Sequence, residues 1–131
     1  MHEPAIQTTT SLPMAEAEER LRNAFREEGF GVLTEVDVQS VLADRIGADV
    51  GPYRILGVCN PQLAFRALRL WRGFGLIAPC NVALYDVGEH RVVIAVDPAE
   101  VPEVQGNSEL YQVAQQASGG ISRAVHSLDD T

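Results

Sequence analysis

The chain has 131 residues, 46% of them hydrophobic and 21% charged, and a net charge of −8. These are the proportions of one globular domain large enough to bury its own core. The negative balance disfavours general nucleic-acid binding, because phosphate backbones recruit basic surfaces.

All ten basic residues are Arg, which excludes Schiff-base and P-loop lysine chemistry within this chain. No apolar run approaches the roughly 20 residues of a membrane span. The opening stretch MHEPAIQTTTSLP has neither a basic leader nor an apolar core, so no signal peptide is expected. The expectation is therefore a cytoplasmic protein with no nucleic-acid or membrane partner. It forms a single domain over 1–131, with 1–12 set apart as a partly flexible N-terminal segment. In a reducing compartment its two cysteines are not expected to form a structural disulfide.

In chain order, Ala5 to Thr10 is β-prone and reads as a short first strand. Ser11 before Pro13 starts a helix to Glu28, with Met14, Leu21, Ala24 and Phe25 as its apolar stripe and Gly29 as its stop. Gly31 to Val38 alternates: Val32, Thr34, Val36 and Val38 share one face, Leu33, Glu35 and Asp37 the other. A short helix follows over Gln39 to Ile46, anchored by Val41, Leu42 and Ile46. Tyr53 to Cys59 is near-continuously apolar, as a central strand is. Asn60 is a good N-cap with Pro61 at the first helical position, and the helix runs to about Trp71, burying Leu63, Ala64, Ala67, Leu68 and Trp71. Gly73 and Gly75 break it. Leu76 to Tyr85 reads as a strand interrupted by Pro79, which implies an edge or a bulge beside Cys80. Asp86 to Glu89 turns into the strand Arg91 to Val96. A Pro-containing loop then leads to a last helix capped by Asn107 or Ser108 and reaching about His126. Gly119-Gly120 within it calls for a kink or a close packing contact, since each Gly costs about 1 kcal/mol relative to Ala. The predicted architecture is α+β: one mixed or antiparallel sheet of about five strands, with helices mainly on one face.

The segments GFGVLTEVDV, PYRILGVCNPQLAFRAL, GLIAPCNVALYD and VVIAVDP, in that order, resemble the domain-of-unknown-function family 302. The resemblance covers about Phe25 to Val125, and the CNP and PCNV signatures make it specific. It implies a small α+β protein that tends to form homodimers; it implies no particular reaction.

The candidate site is framed by the two Cys-Asn pairs, Cys59-Asn60 and Cys80-Asn81. Cys59 precedes a helix start, where a thiolate is stabilised by the first-turn N–H groups if it is exposed. Against that, free Cys is among the most buried residue types, and burial is the more common state. Cys80 lies where a bulge at Pro79 would re-aim it, and Asn81 offers amide hydrogen bonds. The leading expectation is a non-enzymatic ligand-binding or sensing module with a small-molecule site at these four residues. Two alternatives stand beside it: a thiol-dependent redox or hydrolytic enzyme using Cys59, and a homo-oligomeric interaction protein. The residues themselves do not decide between enzyme and binder. There is no CxxC or CxxCH spacing, so no metal site is assigned and the cofactor is left unknown. His90 and His126 read as surface residues. Glu35 and Asp37 read as salt-bridge partners of Arg54 in preference to an acid–base pair. Arg66, Arg69, Trp71 and Arg72 form a local basic and aromatic cluster suited to an acidic partner or a second subunit.

Overall fold

A computed structural model describes residues 5–129. It contains five strands, β1 Ala5–Thr10, β2 Gly31–Asp37, β3 Tyr53–Cys59, β4 Cys80–Val87 and β5 His90–Val96. The helices are α1 Met14–Glu27, α2 Val38–Ile46, α3 Pro61–Leu70, the single turn α4 Pro102–Gln105, and α5 Ser108–His126. All four strand pairings are antiparallel and the order across the sheet is β1-β5-β4-β3-β2. The α+β expectation of one antiparallel five-stranded sheet holds.

Side chains alternate across each strand, so the register fixes what faces the helices. Val58 lies opposite Cys80, Leu56 opposite Val82 and Leu84 opposite Val93. These residues, with Ile6 and Ala95, meet Leu21 and Phe25 of α1 and Ile121, Ala124 and Val125 of α5 in the main core. A second, smaller cluster joins Ala67 of α3 to Ala99, Val104, Leu110, Val113 and Ala114. Helix α5 therefore spans both clusters, its first half in one and its second half in the other.

Capping follows the side chains at the helix ends. Asn60 Oδ1 accepts from Leu63 N at 3.2 Å, and Asn107 Oδ1 accepts from Leu110 N at 3.0 Å. Each satisfies an orphan donor of a first turn. Gly29 sits at φ 85°, and Phe30 N donates back to Phe25 O at 2.9 Å, which ends α1 and drops Phe30 into the core. In the β4–β5 hairpin Gly88 supplies the positive φ, 62°, that its first turn position needs.

The first strand expected at Ala5 to Thr10 is present as β1, paired along its length with β5; residues 1–4 lie outside the described part. Several other sequence-based expectations are corrected. In β2 the register shifts between Val32 and Thr34, so Leu33 bulges out. Val32 then faces the core, while Thr34 and Val36 pair with Gly57 and Ile55 on the opposite face. A strict alternation over this strand cannot survive the extra residue. Helix α2 buries none of its residues: Val41 and Ile46, expected as anchors, are 44% and 73% exposed. Leu68 of α3 is exposed as well. Proline does not interrupt a strand either. Residues Arg72–Leu76 form a 3-10 helix, Pro79 follows a cis peptide bond from Ala78, and β4 begins only at Cys80. Pro79 therefore takes no place in the ladder, and β4 is an inner strand in regular register. The Pro-containing loop before α5 is largely helical, with a 3-10 turn at Pro98–Glu100 capped by Asp97 and then α4.

Candidate functional site

The two hydrophobic clusters do not merge, and an apolar cavity of about 40 Å³ lies at their seam. One wall is the sheet end of the main core, with Phe30, Val58 and Cys80. The other is the second cluster, with Ala67, Val104, Leu110 and Ala114. Cys59, Asn60 and Leu63 complete it where β3 turns into α3. A void holds one water per roughly 10–15 Å³ of such volume only when polar partners are present; this lining offers almost none, so the cavity is suited to a small apolar group.

Three of the four expected site residues come together here: Cys59, Asn60 and Cys80 all line the cavity. Asn81 does not. It pairs with Gly57 in the ladder and is exposed. Asn60 is half-buried and its oxygen is engaged in the cap of α3. Cys80 lies opposite Val58, one residue before Cys59, so the two cysteines are neighbours in the β3–β4 ladder. Both are free thiols.

Their electrostatics run against a reactive thiolate. Burial pushes the Cys59 thiol above its ordinary value, and the helix start beside it does not reverse this. Burial, followed by the neighbouring Cys59 and Asp97, pushes Cys80 up to about 11. Desolvation is the one cause acting on the Cys59 thiol, which favours the buried reading of Cys59 over the exposed first-turn thiolate.

A polar groove of about 530 Å³ adjoins the cavity and shares Phe30, Asn60 and Leu63 with it. It runs between α3 and α5, with Gln62 and Arg66 on one bank and Gln116, Gly119, Gly120 and Arg123 on the other. Arg123 is paired with Glu28 at 2.9 Å, and Arg66 Nη1 donates to Gln116 Oε1 at 3.1 Å. Sequence reasoning did not single out this groove. The signal was present as Gly119-Gly120: a Cβ on Gly120 would stand 2.8 Å from Phe30 Cε1, so the pair marks close packing and not a kink.

The basic and aromatic cluster expected near Trp71 is dispersed. Arg66 turns to the groove, Arg69 stacks over the Phe65 ring at 5.7 Å, and Trp71 packs on the second cluster. Arg54 does pair with Glu35, at 3.4 Å, and more closely with Glu18, at 2.8 Å; Arg22 bridges the same two carboxylates. Asp37 instead caps α2 through Ser40 N, at 3.1 Å. His90 is exposed at the hairpin, and His126, also exposed, lies 3.2 Å from Asp129. Among the described residues no group of three or more His, Cys, Asp or Glu side chains is placed to hold a metal ion. No described helix is long and apolar enough to cross a membrane.

This architecture has counterparts. The model of the family described as "Domain of unknown function DUF302" matches residues 6–128. The chain belongs to the DUF302 family. A crystal structure of an uncharacterized conserved DUF302 protein from Bacillus stearothermophilus is similar to it at a TM-score of 0.89 and 25% sequence identity, covering 97% of this chain and 99% of that one. None of the curated proteins compared matches this DUF302 chain. The match spans both hydrophobic clusters and the seam between them, so the site belongs to the family's own domain and not to an appended segment.

Proposed function

We propose that this DUF302 chain is a non-enzymatic binding module whose cavity takes a small apolar group. The observation that carries the reading is the apolar cavity at the seam beside the Cys-Asn motifs, lined by Cys59, Asn60 and Cys80. Small-molecule sites are concave, mostly apolar and largely preformed, with few polar groups to fix orientation. Raised thiol pKa values argue against the thiol-enzyme alternative, and two free cysteines side by side suit a reducing compartment such as the cytoplasm. The test is a two-dimensional NMR titration with short n-alkyl alcohols. We expect 1-butanol to shift the amides of Cys59, Ala67 and Ala114, and Ala64→Leu, which fills the cavity, to abolish those shifts. Shifts that survive Ala64→Leu, or none in the parent protein, would reject the reading.

A second reading, homodimerisation, is favoured by where the apolar surface lies. Of nine exposed large hydrophobic residues among those described, five fall within 33–50: Leu33, Val36, Val41, Ile46 and Val50. Leu33 and Val36 lie on the sheet-edge strand β2, Val41 and Ile46 on α2, which continues it, and Val50 on the connection to β3; apolar surface gathered at a sheet edge is of the kind a twofold interface uses. The occupant we favour is a second copy of this chain. Sedimentation equilibrium should give a dimer that Ile46→Asp dissociates; a monomer at high concentration would reject it.

A further inference from the structure

The groove between α3 and α5 is a place of local positive charge on an acidic protein. Its lining carries two guanidinium groups, Arg66 and Arg123, against one carboxylate, Glu28. The whole chain carries −8. Each arginine is held by only part of its fork. Arg123 has a single carboxylate oxygen as partner, and Arg66 is anchored by Nη1 to the Gln116 amide. A guanidinium presents five donors, so each keeps N–H groups for a further acceptor. The side-chain amides of Gln62 and Gln116 on opposite banks add neutral donors and acceptors between them. Helix α3 brings Arg66 to one bank and the last turns of α5 bring Arg123 to the other; both elements are fixed by the packing that frames the apolar cavity.

The groove and the cavity adjoin and share part of their lining. Phe30, Asn60 and Leu63 line both. We infer that the groove receives the carboxylate of a short-chain carboxylic acid, held between Arg66 and Arg123, while its alkyl tail enters the apolar seam. This rests on the cavity reading proposed above and adds the head group to it. The cavity, at about 40 Å³, is small and apolar, so it takes part of an alkyl tail and not the head group. The groove, at about 530 Å³, leaves the head group hydrated on its outer side. A planar carboxylate matches the guanidinium fork, which favours it over a bulkier or cationic head.

Three probes with one tail separate the two claims: pentanoate, 1-pentanol and pentylamine, titrated by NMR into the full chain at low salt. Pentanoate should bind about tenfold more tightly than 1-pentanol, and pentylamine more weakly than either. Arg66→Gln and Arg123→Gln should each reduce pentanoate affinity about threefold while leaving 1-pentanol unchanged, and 0.5 M salt should weaken pentanoate while leaving the neutral 1-pentanol unchanged. Equal affinity for pentanoate and 1-pentanol, both blocked by Ala64→Leu, would overturn the carboxylate inference and leave the apolar cavity standing. Binding of none of the three would overturn both. Loss of native amide dispersion in either Arg variant is controlled by Arg66→Lys and Arg123→Lys, which keep the charge without the fork and should retain more of the pentanoate preference than the Gln variants; equal loss in the Lys and Gln variants would count against charge recognition.

Discussion

Phe30 rests on Gly120: a Cβ at that glycine would lie 2.8 Å from Phe30 Cε1. On its other side Phe30 meets Phe25 edge-on, with ring centroids 5.6 Å apart. The ring is thus wedged between the end of α1 and the middle of α5, and it lines both the apolar cavity and the polar groove.

Gly120→Ala sets two effects against each other. Helix propensity favours Ala by about 1 kcal/mol, while displacing a packed aromatic ring costs about 1–3 kcal/mol. The second should win, giving a net loss of about 1 kcal/mol in urea denaturation. Gly119→Ala has only the Arg123 side chain as neighbour, at 3.3 Å, and should be neutral or stabilising. Equal stability of the two variants would refute the wedge.

The cysteines should be sluggish. With Cys80 pushed to about 11 from an ordinary 9.0, its thiolate fraction at pH 8 falls about a hundredfold. Iodoacetamide should therefore label Cys59 before Cys80 in the folded protein, both more slowly than after denaturation, as followed by mass spectrometry. Rapid labelling of Cys59 at pH 7 would restore the thiol-enzyme alternative.

Glu18 links stability to pH. Burial raises its carboxyl pKa, but Arg54 and Arg22 together hold it below the ordinary 4.5. A folded-state pKa below the unfolded one gives stability that is present above the unfolded value and lost as pH falls through the folded one. Glu18→Gln should cost about 1–2 kcal/mol at pH 7. The gap between parent and variant should shrink as pH falls from 7 to below 4.5. A gap that stays constant across that range would show that the loss is not electrostatic.

Gly57 has no room for a side chain. A Cβ there would land on Thr34 Oγ1 and stand 3.0 Å from Pro79 Cγ. Gly57→Ala should destabilise the fold by about 1–3 kcal/mol, and Thr34→Ala added to it should recover part of the loss. Additive costs in the double variant would contradict the contact.

Local chemistry was readable from the chain where it acts over a few residues. Asn60 before Pro61, Asn107 before α5 and Gly29 after α1 each do what their type and position predict. Three features were not readable, for three different reasons. The bulge at Leu33 depends on β3 as a partner, so a single strand's alternation put Val32 and Val36 on the same face when they lie on opposite ones. Helix α2 has the apolar spacing of a core helix, yet nothing in the monomer covers Ile46. The cavity arises because two clusters built from distant segments stop short of each other, and spacing along the chain carries no trace of that gap. Cys59, Asn60 and Cys80 could be grouped because β3 and β4 are ladder neighbours; Arg123, from the far end of the chain, could not.

The pairing of β1 with β5 joins Thr10 to Arg91 and Ala5 to Val96. Strand β1 thus waits for about eighty residues of further synthesis before its partner β5 exists, roughly 4 to 16 s at ordinary elongation rates. Its composition suits that interval. AIQTTT carries one large apolar side chain, Ile6, among three threonines and a glutamine. A nascent chain can hold such a segment in water with little tendency to stick, while the inner strands assemble before the outer edge closes over them.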